Sequence, residues 1–199
     1  MSIKTDKIQA GKFQWFYRQT EIESARTPVL FLHGLPAHSY TWQKLMSLLA
    51  AENIPSIAPD WIGSGFSAKP DKRNFAYTPE AFLTSLSEFI AAIKLEKFYL
   101  VVQGFLASVG IQYALQNPEQ IEGLIILNTP ITAGVKLPWS MKQMTLPVVG
   151  DMMTQDPLLV DRTLEKGSGF VISDKDLDVL RKPFLQSSAV GRSLMTILQ

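Results

Sequence analysis

The sequence predicts an α/β domain of three layers, a mostly parallel sheet with helices on both faces, and three observations carry that reading. Short continuous apolar runs at Pro28–His33, Phe98–Gln103 and Ile121–Asn128 have the length and composition of strands buried on both sides. Longer stretches between them repeat their apolar residues at helical spacing. From Pro28 onward the two kinds alternate as strand, helix, strand, helix, strand, helix, strand, and right-handed crossovers turn that order into a parallel sheet.

The elements follow in order. Phe13, Trp15 and Tyr17 alternate with Gln14, Phe16 and Arg18, an early strand with one apolar face, and polar Thr20–Thr27 reads as a turn. After the strand Pro28–His33, the spacing of Trp42, Leu45, Met46 and Leu49 predicts a helix from about Tyr40 to Glu52. Ile54–Pro59 is a strand with a proline near each end, and a glycine-rich loop follows it. Thr78-Pro79-Glu80 is a helix start, with an N-cap hydroxyl, proline at the first position and an acid in the first turn; the helix carries Phe82, Leu86, Phe89 and Ile93 inward. Phe98–Gln103 is the next strand, Leu106–Gln116 the next helix, and Ile121–Asn128 a further strand. Beyond Pro130 the rhythm gives way to methionines, prolines and short helical stretches, with Ser173 and Ser188 as helix caps. The division expected is a sheet-bearing core over residues 1–130 and a helical segment over 131–199 lying across it.

Composition narrows the chemistry. The 199 residues hold 46% hydrophobic and 19% charged side chains, enough for a sizeable core. Nineteen basic residues against 18 acidic ones give a net charge of +1, which offers nothing to nucleic acid or an anionic membrane. There is no cysteine, so disulfides, thiolate catalysis and Cys-ligated zinc are excluded, and no cofactor is called for. No apolar run is long enough to cross a bilayer, and the first residues lack a leader core, so the expected location is the cytoplasm, with the plastid stroma as the alternative. Only two histidines occur, His33 and His38.

Four motifs fall in sequence. Phe31-Leu-His-Gly-Leu-Pro36, with Ser39 and Trp42 after it, resembles the His-Gly oxyanion loop of α/β-hydrolases, above all the haloalkane dehalogenase and epoxide hydrolase branch. Ile57-Ala-Pro-Asp-Trp-Ile-Gly-Ser-Gly-Phe-Ser-Ala-Lys-Pro-Asp71 is similar to the loop after the next strand of the same families. Tyr99–Ser108 has the strand–turn–helix setting of a nucleophile elbow, and Ile121–Asn128 continues the match in register. The resemblance implies an α/β-hydrolase core over about Phe13–Pro130, the beginning of a helical cap after it, and a core incomplete at its C-terminal strands.

At the elbow the pattern departs from the family. The dehalogenase run His-Asp-Trp-Gly is replaced by Gln103-Gly104-Phe105-Leu106, so the apex has no nucleophile and the turn glycine is a leucine. The asparagine that helps hold halide is Leu35. Asn128-Thr-Pro130 supplies no triad carboxylate, and the strand that would precede the triad histidine lies past Gln199. Losing a triad nucleophile costs about 10⁶-fold in turnover, and further losses add little. Glycine at the apex relieves the strain that the elbow imposes on other residues.

Four side chains offer rival readings. Ser108, about one helical turn past the apex, is either a substitute nucleophile or a serine that packs within its helix. His33 is a general base or, as the resemblance implies, a shaper of the oxyanion loop; His38, beside Ser39 and Tyr40, is open between solvation and function. Asp60 sits at the C-terminal end of a strand, where α/β folds place their sites, but its family counterpart pins the Gly63-Ser-Gly65 loop. That loop lacks the spacing of a phosphate loop.

The expected function is that of a catalytically degenerate α/β-hydrolase-like protein. It would bind a small apolar ligand or a protein partner near His33, Gly34, Leu35, Gln103, Gly104 and Phe105. The backbone N–H groups there would seat a carbonyl or anion. One alternative is a working hydrolase or lyase whose histidine and acid lie in further sequence. Another is a structural subunit whose partner covers the edge strand Ile121–Asn128.

Overall fold

The computed structural model describes residues 2–129, 137–156 and 158–199, and the expected division at residue 130 falls outside them. Six strands form one sheet: β1 (Ile3–Ala10), β2 (Phe13–Thr20), β3 (Val29–Leu32), β4 (Ser56–Pro59), β5 (Phe98–Gln103) and β6 (Ile121–Leu127), in the order β1-β2-β4-β3-β5-β6. The β1–β2 hairpin and the β2–β4 pair are antiparallel; β4, β3, β5 and β6 are parallel. Strand β1 went unread in the sequence because most of it is polar and exposed, so its pairing with β2 has no hydrophobic alternation to announce it.

Alternate side chains of β3 feed two cores, as expected of a strand covered on both faces. Leu30 and Leu32 join Trp15, Phe82, Leu86, Phe89 and Phe98 in the larger core. It lies beneath α2 (Pro79–Ala92) and α3 (Ala107–Gln116). Val29 and Phe31 point the other way, into a smaller core with Trp42, Met46 and Ala58 under α1 (Gln43–Ala51). The helix expected from Tyr40 begins as a 3-10 turn at Ser39–Trp42 and runs into α1. The Thr78 hydroxyl caps α2 as its sequence predicts, accepting the Ala81 N–H at 3.3 Å.

Strand β6 lies at the edge, and Leu124–Leu127 are 36–50% exposed. The apolar run reads as a buried strand, yet it is also the strand expected at the sheet edge, and among the described residues β5 alone pairs with it.

Past residue 136 the described chain is helical: α4 (Trp139–Lys142), α5 (Val149–Gln155), α6 (Leu158–Ser168), α7 (Asp174–Gln186) and α8 (Ser188–Leu198). Ser173 caps α7 as expected, whereas the cap of α8 is Ser187 rather than Ser188. This helical layer, called the cap for its position over the sheet, is fastened to the core. Ile197 of α8 enters the larger core, and Val160 and Leu180 enclose Ala37. The Tyr77 hydroxyl donates to the Pro70 carbonyl at 2.6 Å and lies 3.0 Å from the Ser193 hydroxyl.

Candidate functional site

The C-terminal ends of β3, β4 and β5 converge beneath the cap, the position at which open α/β sheets place their sites. His33 leaves β3 fully buried. The Trp61 N–H donates to its Nε2 at 3.0 Å, so Nδ1 carries the proton and donates to the Gly34 carbonyl at 2.9 Å. Burial pushes its pKa down to about 4 despite the nearby Asp60 carboxylate. A neutral ring with both nitrogens engaged has no site left to accept a substrate proton. It ties β3 to the loop after β4, which the Trp61 indole N–H reinforces with a 3.0 Å bond to the His33 carbonyl.

Asp60 is equally buried and equally committed. Its Oδ1 accepts the Ser39 N–H at 2.8 Å and its Oδ2 the Phe66 N–H at 2.7 Å. A Cβ on Gly65 would lie 2.1 Å from Oδ2, so glycine there permits the close approach of loop and carboxylate. The loop-pinning role implied by resemblance is the one the geometry supports.

His38 is buried, not solvated. Its Nε2 donates to the Val179 carbonyl of α7 at 3.2 Å, while Nδ1 lies 3.4 Å from the Tyr40 N–H and 3.8 Å from Asp60. Burial lowers its pKa as well. Tyr40 adds a second tie to α7, donating to Asp176 at 2.8 Å. Both histidines therefore serve as fasteners, one within the core and one between core and cap.

Gly104 stands at the elbow with φ +73°, and its N–H donates to the Leu127 carbonyl at 3.2 Å. A Cβ built on it would meet the Gly34 Cα at 3.0 Å, and one on Gly34 would meet the Gly104 Cα at 3.4 Å. Two glycine backbones thus pack face to face where a nucleophile would rise. Leu106, in place of the turn glycine, causes no conflict: its φ of −80° suits any residue, and its side chain is buried in the larger core. Ser108 is exposed on α3 and is not among the residues that line the cavity described below.

Between core and cap lies a cavity of about 840 Å³. Of the six residues expected to bind ligand, Leu35 and Gln103 line it, joined by Thr41 and Asn128; His33, Gly34, Gly104 and Phe105 are not among its lining residues. The rest comes from the cap: Met141, Met144 and Met153, and one face of α6 with Leu159, Arg162, Thr163 and Lys166. Sequence reasoning missed that face, although its i, i+3, i+4, i+7 spacing was there to be read. Among the described residues no cluster of His, Asp and Glu could hold a metal ion, and no helix is long and apolar enough to cross a membrane.

Comparison with known proteins agrees with this fold. Residues 27–188 match a family model described as alpha/beta hydrolase fold. A cis-3-alkyl-4-alkyloxetan-2-one decarboxylase of Shewanella oneidensis is 35% identical over 108 residues, 54% of this chain and 34% of that protein. A haloalkane dehalogenase of Mesorhizobium japonicum is 28% identical over 165 residues, 78% of this chain and 52% of its own length. The crystal structure of the haloalkane dehalogenase DbeA from Bradyrhizobium elkani superposes with a TM-score of 0.80 at 26% identity. It accounts for 99% of this chain and 68% of the dehalogenase. The chain thus spans about a third to a half of the curated relatives cited and about two thirds of the solved enzyme.

Proposed function

The chain belongs to the alpha/beta hydrolase fold family, and from that premise we propose that it is a catalytically degenerate member that holds a small, largely apolar ligand between core and cap. The observation that carries this reading is the elbow: Gly104 has no reactive atom, and its backbone packs against Gly34. Neither histidine supports a substitute nucleophile, since His33 and His38 are both held by backbone groups. What survives is the cavity, whose methionines adapt to the shape of a flexible chain.

Two measurements test it. The purified chain should turn over a short aryl ester, a 1-haloalkane and a terminal epoxide no faster than Gly104→Ala, with melting curves showing that both proteins are folded. One equivalent of 1-octanol should bind by calorimetry, and Thr163→Trp, which fills the cavity from a half-buried position on α6, should abolish binding. Turnover well above the Gly104→Ala level would overturn the reading, as would octanol binding indifferent to Thr163→Trp.

A second reading is favoured by the limited share of the relatives that the chain spans. The protein would be a hydrolase or lyase whose catalytic histidine and acid lie outside these 199 residues, and it predicts the opposite result in the turnover assay. The exposed apolar strand β6 favours a third, a protein partner that adds a strand at this edge. Its signature would be a stoichiometric companion that slows amide exchange along Ile121–Leu127.

A further inference from the structure

The charges of α6 are sorted by face. Its acids do not line the cavity and are engaged: Asp161 lies 3.4 Å from Arg181 of α7, and Glu165 accepts the N–H of Ile172, a lining residue, at 3.1 Å. Its bases, Arg162 and Lys166, are one turn apart and both line the cavity.

Asp156 is the one carboxylate among the described lining residues, and it is already engaged. Its Oδ1 accepts the Leu158 N–H at 2.9 Å and its Oδ2 the Arg162 guanidinium at 2.7 Å. Lys166, an exposed lining residue, therefore brings a positive charge to the solvent-facing part of the cavity wall with no lining carboxylate given over to it. The same helical face runs inward from Lys166 past Thr163 to buried Leu159, and Met144 and Met153 continue the apolar wall.

We propose that the cavity takes an amphipathic carboxylate, its aliphatic chain against Leu159 and the methionines and its carboxylate at the solvent-facing wall beside Lys166. This rests on the ligand-holding reading above and adds to it the class of ligand. Neither part of the arrangement suffices alone. An apolar cavity would accept any chain of suitable length, whereas a single exposed ammonium contributes little affinity and is screened by salt. Together they give selectivity for a chain with a negative end.

The test compares octanoate with 1-octanol, which share a chain and differ in charge. At low salt octanoate should bind about fivefold more tightly than 1-octanol, and the preference should shrink as salt rises. Lys166→Glu should reduce the preference to unity or invert it. Lys12→Glu, the same charge change at the exposed turn between β1 and β2, should leave it intact and so exclude an effect of net charge alone. Equal binding of the two ligands, or a preference indifferent to Lys166→Glu, would overturn this inference while leaving the ligand-holding role standing. Failure of both ligands to bind, or binding unaffected by Thr163→Trp, would instead remove the reading on which it rests.

Discussion

On the β3–β4 side of the crevice, His33 has both ring nitrogens bonded and Asp60 both oxygens, and removing either would orphan buried donors. On the β5 side, Gly104 contributes only backbone, and the contact that fixes it is another glycine. The two sides belong to one site in the family's architecture, yet they carry different physical obligations. Polar groups on the first side hold loops together, so the fold depends on them whether or not chemistry occurs. The elbow's side chain has no such duty: a nucleophile there costs strain, and glycine removes that cost.

The contrast predicts a graded series of effects. Asp60→Ala should be the most damaging change, because it leaves the Ser39 and Phe66 N–H groups without their acceptor in a buried site. A loss of about 4 kcal/mol is expected in urea denaturation, and a loss under about 1 kcal/mol would show that the carboxylate does not hold these loops.

Acid should act on the same side. Unfolded His33 takes up its proton near 6.5, but the folded ring only near about 4. Between those values the unfolded state holds more protons, so stability is fully present above the upper value and falls as pH drops toward the lower. The loss amounts to about 3 kcal/mol, and His38 titrates in the same direction. Urea midpoints across this window should fall in the parent and fall less steeply in His33→Gln.

The elbow should be more forgiving. Gly104→Ala pairs a positive φ with a 3.0 Å contact to Gly34, and should cost about 1–2 kcal/mol in the same assay. Gly104→Ser should leave aryl-ester turnover at the parent level, since no imidazole is available to activate the hydroxyl. Ser108→Ala, on an exposed position, should change stability by no more than about 0.5 kcal/mol and leave octanol binding as it was.

Much of the core was legible because burial leaves a periodic record. Strands β3 and β5 are short apolar runs, α2 opens with Thr-Pro-Glu, and the glycine-rich loop after β4 falls where the motif places it. Strand β1 was not legible, since an edge strand stabilised by its partner's backbone needs no apolar pattern. Ser108 stayed open between two readings because a residue one turn beyond an elbow can face the crevice or the solvent. The neighbours of α3 settle which, and they are distant in sequence. The cavity-lining face of α6 was missed for a related reason: its spacing marks a helix surface but not what that surface meets.

Residue type and local period alone show that glycine occupies position 104, that these 199 residues hold no thiol and two imidazoles, and that strands and helices alternate into a mostly parallel sheet. It took the folded chain to show that both imidazoles are fully occupied, that Gly104 packs against Gly34, and that Lys166 lines a cavity whose one described carboxylate is already paired. Each of those depends on atoms brought together from distant parts of the chain, where pairing and burial set what a polar group can still do.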